Sequence, residues 1–112
     1  MEKSLFWDEF IKVDMRVGTI IAATPFLEAK KSAYWLTLDF GELGLRHSSA
    51  QLTKLYQPET LIGKQVVAVI NFMPKQIANR MSQCLVLGAL GKEGDVILLT
   101  PERKIPNGLR IG

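Results

Sequence analysis

Lys75 and Arg80 stand on either side of a short polar turn, with Asn71-Phe72-Met73-Pro74 running into it and Ser82-Gln83-Cys84 leading out. No carboxylate falls between Glu59 and Glu93, whereas Lys64, Lys75, Arg80 and Lys92 all do. A segment that donates hydrogen bonds without repelling anions can hold a phosphate or the carbonyls of an extended peptide. Phe72 and Met73 add an apolar pair that either closes the core or is offered to a ligand. Methionine adapts to varied side chains, and an aromatic ring accepts either a peptide side chain or a base. The chemistry these residues carry is binding.

Catalysis finds little support in the rest of the inventory. His47 is the single histidine, so one chain cannot build a two-histidine metal site. Ser48 and Ser49 adjoin it without a nucleophile-elbow pattern, and neither a phosphate-cradling nor a dinucleotide-binding glycine motif occurs. We expect no metal, no cofactor and no catalytic residue. Cys84 is the single cysteine, which excludes an internal disulfide, fits a reducing compartment and reads as a small buried hydrophobe. Further candidate contacts lie upstream. Lys30 and Lys31 precede the second strand, either as a solvated turn or bordering a binding face. Arg46, His47, Ser48 and Gln51 are polar groups where the third strand meets a helix, and His47 there is either structural or a ligand contact. Asn71 is expected to tie down its turn by backbone hydrogen bonds.

The elements that position these residues fit a chain of 112 residues, 47% apolar and 22% charged, which is enough for one domain over 1–112. The net charge of +3 is a mild and regional excess: Glu2, Asp8, Glu9 and Asp14 outweigh Lys3 and Lys12 at the start, whereas the acid-free middle and the tail with Arg103, Lys104 and Arg110 are basic. Glu2, Asp8 and Glu9 interrupt the N-terminal apolar residues, and no run approaches about 18 apolar residues, so neither a signal peptide nor membrane insertion is expected. The expected location is the cytoplasm. Ser4 can cap a helix through Lys12; Phe6, Trp7 and Phe10 give it more aromatic surface than one face needs, serving either core packing or a symmetric subunit contact. Met15 to Ala23 reads as a strand bent at Gly18, Tyr34 to Phe40 as an alternating strand, and Leu45 to about Ser48 as its hairpin partner. Ser49 can cap a following helix, and Pro58 to Gly63 makes a short turn. Gln65 to Ile70 is a strand covered on both sides, the stretch from Pro74 to Ser82 is irregular, and Leu85 to Leu87 and Val96 to Leu99 are strands. Three strands, a helix, then further strands is the order of an all-β, five-stranded oligonucleotide/oligosaccharide-binding (OB) barrel, with a small sandwich as the other possibility.

The strings FIKVDMRVGTI at Phe10 to Ile20, SSAQLTKLY at Ser48 to Tyr56, LIGKQVVAVINFMPKQIA at Leu61 to Ala78, LVLGA at Leu85 to Ala89 and the closing PNGLRIG together resemble the CsaA protein-export chaperones. These belong to the tRNA-binding-domain superfamily, which includes the C-terminal domain of some methionyl-tRNA synthetases. Ser48-Ser49-Ala50-Gln51 and Asn71-Phe72 ahead of Pro74 resemble the chaperone branch, and Lys30-Lys31-Ser32-Ala33-Tyr34 stands where tRNA-binding relatives commonly have Asp-Lys-Leu. The chain departs from the chaperones at Asn79, where they tend to have glycine, and at Ser82-Gln83-Cys84, where they tend to have Ser-Glu-Val. Asparagine tolerates left-handed backbone, so the turn can survive. The resemblance implies an OB barrel with a short N-terminal helix and a C-terminal β extension. It implies a homodimer through those extensions, with Phe6, Trp7, Phe10, Ile105 and Ile111 as its contacts. It also implies a chaperone for unfolded or pre-export polypeptides, acting with the Sec export machinery. The alternative is a structure-selective tRNA-binding module, which the missing glutamate favours.

Overall fold

A computed structural model describes residues 3–112. Strict alternation builds its centre. In β2 (Tyr34–Asp39), Tyr34, Leu36 and Leu38 point inward while Trp35, Thr37 and Asp39 face out. β4 (Gln65–Val69) buries Val66 and Ala68 in the same way. These meet Ile20 of β1 (Met15–Pro25), Phe40 and Leu61 in one core.

The main sheet runs β3-β2-β1-β4-β7, with β3 spanning Leu45–Ala50 and β7 Leu85–Val86. β1 is long enough to serve two neighbours, pairing β4 through Met15 to Thr19 and β2 through Thr19 to Pro25. The sheet closes into a barrel at a seam where β3 meets Ser82-Gln83: Gln83 N–H donates to the His47 carbonyl (2.8 Å), His47 N–H to Gln83 Oε1 (2.8 Å) and Ser49 N–H to Ser82 Oγ (3.1 Å). Side chains thus complete a ladder the backbone leaves unfinished. The result is the expected all-β, OB-like barrel; its helix between β3 and β4 is a single turn, α2 (Pro58–Leu61), where a short turn was expected, and the stretch from Gln51 to Tyr56 is not helical.

The C-terminal extension is pinned to β1. β10 (Arg110–Ile111) pairs with Met15 and Arg16, and Asn107 Oδ1 accepts bonds from Thr19 Oγ1 (2.8 Å) and Gln65 Nε2 (3.0 Å). Gly108 sits at φ 93°, and a Cβ there would lie 2.7 Å from the Phe40 carbonyl, so the Pro-Asn-Gly turn requires glycine.

Several local expectations are corrected. The N-terminal helix is a single turn, α1 (Trp7–Phe10), entered from Phe6 rather than capped by Ser4; Phe6 N–H is taken by the Glu9 carboxylate (3.0 Å). Ser49 caps no helix. It lies in β3, because its N–H is already committed across the seam. The bend in β1 falls at Ile21, where the register with β2 shifts between Ile20 and Ala22. Gly18 instead makes room for Phe40, whose ring would stand 2.6 Å from an added Cβ. The stretch after Pro74 is not irregular but a hairpin of β5 (Lys75–Ile77) and β6 (Arg80–Ser82). Its left-handed residue is Ala78 (φ 52°), not Asn79. A second hairpin, β8 (Gly88–Leu90) with β9 (Val96–Leu98), follows.

Candidate ligand-binding surfaces

The β5–β6 hairpin is inserted between β4 and β7, so the barrel hands two consecutive core strands to an outward excursion. Cross-strand partners share a face. Lys75 with Ser82 and Ile77 with Arg80 therefore form one side of the hairpin, and Gln76 and Met81 the other. The first side serves two different surfaces.

At its base, Lys75, Ile77 and Ser82 form one wall of a groove of about 710 Å³. Phe72 and Met73, both exposed, stand at the entry, and Ser49 to Leu52 and Cys84 to Gly88 with Leu90 and Val96 complete the lining. Phe72 is 57% exposed and Met73 86%, so the apolar pair is offered to solvent rather than closing the core. Lys75 is the one formal charge among the lining residues, and no carboxylate is among them. Burial pushes the Cys84 thiol up from the ordinary 9.0 to about 11, against smaller lowering effects from Arg46 and the Ser48 hydroxyl. This thiol is therefore a neutral part of an apolar wall.

Toward its tip, the hairpin carries Arg80 onto the outer face of β2. The guanidinium lies 4.9 Å from the Phe26 ring centre and 5.1 Å from that of Trp35, within cation–π range. Phe26 meets Trp35 edge-on, and Trp35 stacks on His47 at 5.7 Å with 16° between planes. His47 Nδ1 is also in hydrogen-bond contact with Thr37 Oγ1 (3.1 Å). The half-buried Trp35 ring, the exposed His47 ring and the Arg80 guanidinium thus form an outward platform of the kind on which bases stack, while Phe26 is itself buried and only supports it. Lys30 and Lys31 are exposed in the β1–β2 loop, whose ends are joined where Phe26 N–H donates to the Ala33 carbonyl (3.0 Å).

The candidate residues therefore divide. Gln51, Phe72, Met73, Lys75 and Ser82 gather at the groove, and His47 and Arg80 at the platform. Of these, Ser82 also holds the seam with its hydroxyl, and four others have structural partners. Ser48 is fully buried with its hydroxyl on the Ser49 carbonyl, so it has no ligand-facing group. Arg46 donates to the Ile70 carbonyl (2.7 Å). Gln83 holds the seam. Asn71 binds Asp14 N–H (2.9 Å) and the Lys12 carbonyl (2.6 Å), fastening the segment before β1 rather than its own turn. Phe26, Trp35 and the lining residues Leu85 to Gly88, Leu90 and Val96 were not anticipated. Trp35 had a visible signal, a large aromatic on the outward phase of an alternating strand. Of the residues expected at a subunit contact, Phe6 (73%) and Trp7 (81%) are strongly exposed, and Phe10, Ile105 and Ile111 are half-buried.

A barrel of this order, with an excursion between its last strands and an aromatic platform on β2–β3, defines an OB-type binding module. The family model described as "Putative tRNA binding domain" matches residues 15–110, and the chain belongs to the tRNA-binding-domain family. Within it the chain is a CsaA-like protein. It is 48% identical to the chaperone CsaA of Bacillus anthracis, covering 98% of this chain and all of that one with a TM-score of 0.95. It is 46% identical to the CsaA chaperone protein of Picrophilus torridus, covering 97% and 100% with a TM-score of 0.90. A methionine–tRNA ligase of Acidithiobacillus ferrooxidans is 39% identical over 93% of this chain, and the chain spans only 15% of that enzyme's length. No helix among the described residues is long and apolar enough to cross a membrane.

Proposed function

We propose that this chain is a non-catalytic, dimeric chaperone of CsaA type that holds unfolded or pre-export polypeptides in the cytoplasm and delivers them to the Sec export machinery. The observation that carries this reading is the charge-poor groove with Phe72 and Met73 exposed at its entry. Apolar surface kept open in a folded domain is a mark of an interaction site. The likeness to two CsaA chaperones over nearly the whole chain supports the same reading. Exposed Phe6 and Trp7 support a homodimer through the terminal extensions.

A second reading, a tRNA-binding module, is favoured by the Arg80–Trp35–His47 platform and by the tRNA-binding family match. Titrating a non-native polypeptide and a tRNA at two salt concentrations separates the two. Backbone contacts to RNA weaken steeply with salt, whereas apolar capture weakens little. Salt-resistant polypeptide binding is the expected result. Binding of neither ligand in low salt would sink both readings.

A further inference from the structure

We infer that the groove selects extended apolar segments flanked by a carboxylate and discriminates against those flanked by Lys or Arg. This rests on the polypeptide-binding reading and specifies which polypeptides the groove takes.

The lining fixes the chemistry. Its volume of about 710 Å³ admits several large side chains, since a benzene-sized group fills a cavity of about 150 Å³. Among the lining residues the polar contribution is small: Ser49, Gln51, Ser82, the neutral Cys84 thiol and the Lys75 ammonium. A cationic side chain entering this space finds no carboxylate to receive it, and an unpaired charge removed from water is costly. A carboxylate finds Lys75, which is exposed and has no ion-pair partner among the described residues.

The surroundings keep that bias. The β8–β9 turn beyond Leu90 and Val96 carries Glu93 and Asp95, but Lys92 and Lys54 stand with them, and the Lys54 ammonium donates to the Glu93 carbonyl. Two acids against two bases leave that end without net charge. Lys75 is the uncompensated charge, set on the wall beside Phe72 and Met73. The occupant's apolar side chains fill the groove while an acidic residue next to them pairs with Lys75 at the rim.

The test uses the full chain and two synthetic peptides with one Leu/Phe-rich core, flanked by Glu in one and Lys in the other. Affinities are read by fluorescence anisotropy in low salt. The Glu-flanked peptide is expected to bind about three- to tenfold tighter, an exposed pair gained against a repulsion relieved. Lys75→Glu should invert the order and Lys75→Gln should abolish the difference, with urea unfolding verifying that each variant is folded. Equal affinities, a preference for the Lys-flanked peptide, or a Glu preference that survives in Lys75→Gln would each overturn the selectivity while leaving polypeptide capture standing. Binding of neither peptide would overturn the polypeptide reading itself.

Discussion

Phe72→Ala tests whether the groove entry holds client polypeptide. An enclosed aromatic side chain buries about 150–250 Å². Phe72 is 57% exposed. A client closing over it therefore removes roughly a further 110 Å², or about 2–3 kcal/mol at about 25 cal/mol/Å². Association realises only part of such area energy, so the expected loss is about 1.5–2.5 kcal/mol, roughly a ten- to sixtyfold weaker Kd. The area already buried in the free protein is smaller, and its loss costs folding about 1–2 kcal/mol, well inside the stability of an ordinary domain. The assay is anisotropy of a labelled, permanently non-native polypeptide, run beside suppression of client aggregation, with urea unfolding and sedimentation verifying fold and oligomeric state. Phe72→Leu keeps most of the apolar area and should recover most of the affinity. A Kd within twofold of wild type for a folded Phe72→Ala protein would remove Phe72 from the site and with it the argument from exposure.

Other perturbations separate the remaining elements. Trp35→Ala should weaken RNA binding by about 1–3 kcal/mol through lost stacking while leaving its salt dependence unchanged, whereas Arg80→Gln should flatten the log K against log salt slope by about 0.7–0.9; the reverse pattern would refute the platform. Gly18→Ala drives a Cβ into the Phe40 ring and should cost about 1–3 kcal/mol, read as a lower urea midpoint. Cys84 binds its proton more tightly folded than unfolded, so its contribution is complete below pH 9.0 and is lost as pH rises toward about 11. That loss amounts to about 2–3 kcal/mol. A Cys84→Ala variant should show a flatter stability profile across that window, and an identical slope would refute the assignment.

What could be read from the chain, and what could not, follows from how far each signal reaches. Tyr34 to Asp39 alternates because one core faces it, and Gln65 to Ile70 was legible instead as a continuous apolar run, with Val69 and Ile70 buried as well as Val66 and Ala68; both signals are local. Ser49 as a helix cap was a local signal overruled at a distance: its N–H belongs to Ser82, 33 residues away. Ser48 failed as a contact for the same reason, since it occupies the inward phase of a strand that runs two residues further than its composition suggested. The hairpin was hidden because Ala78 rather than a glycine or asparagine takes the positive φ. At the groove, Phe72, Met73 and Lys75 were legible as neighbours along the chain. The rest of the lining, Cys84 to Gly88 with Leu90 and Val96, joins them only when the barrel closes.

Gln83 brings the two candidate ligands into one experiment. Its side-chain oxygen accepts the His47 N–H at 2.8 Å, and a glutamate, the residue the resemblance leads one to expect there, supplies the same acceptor. Gln83→Glu should therefore keep the seam, with stability within about 1 kcal/mol of wild type. It does add a negative charge bonded to His47, whose ring stacks on Trp35. Within a Debye length of about 10 Å at 0.1 M salt, that charge opposes a phosphate arriving at Arg80, so RNA should bind several-fold more weakly, and the difference should widen as salt is lowered. Gln83 is not among the groove-lining residues, and polypeptide affinity should hold. RNA affinity unchanged at low salt would place the nucleic-acid surface away from this platform. An equal loss for both ligands would mean that they share one surface, and the division of the hairpin into a groove side and a platform side would fail.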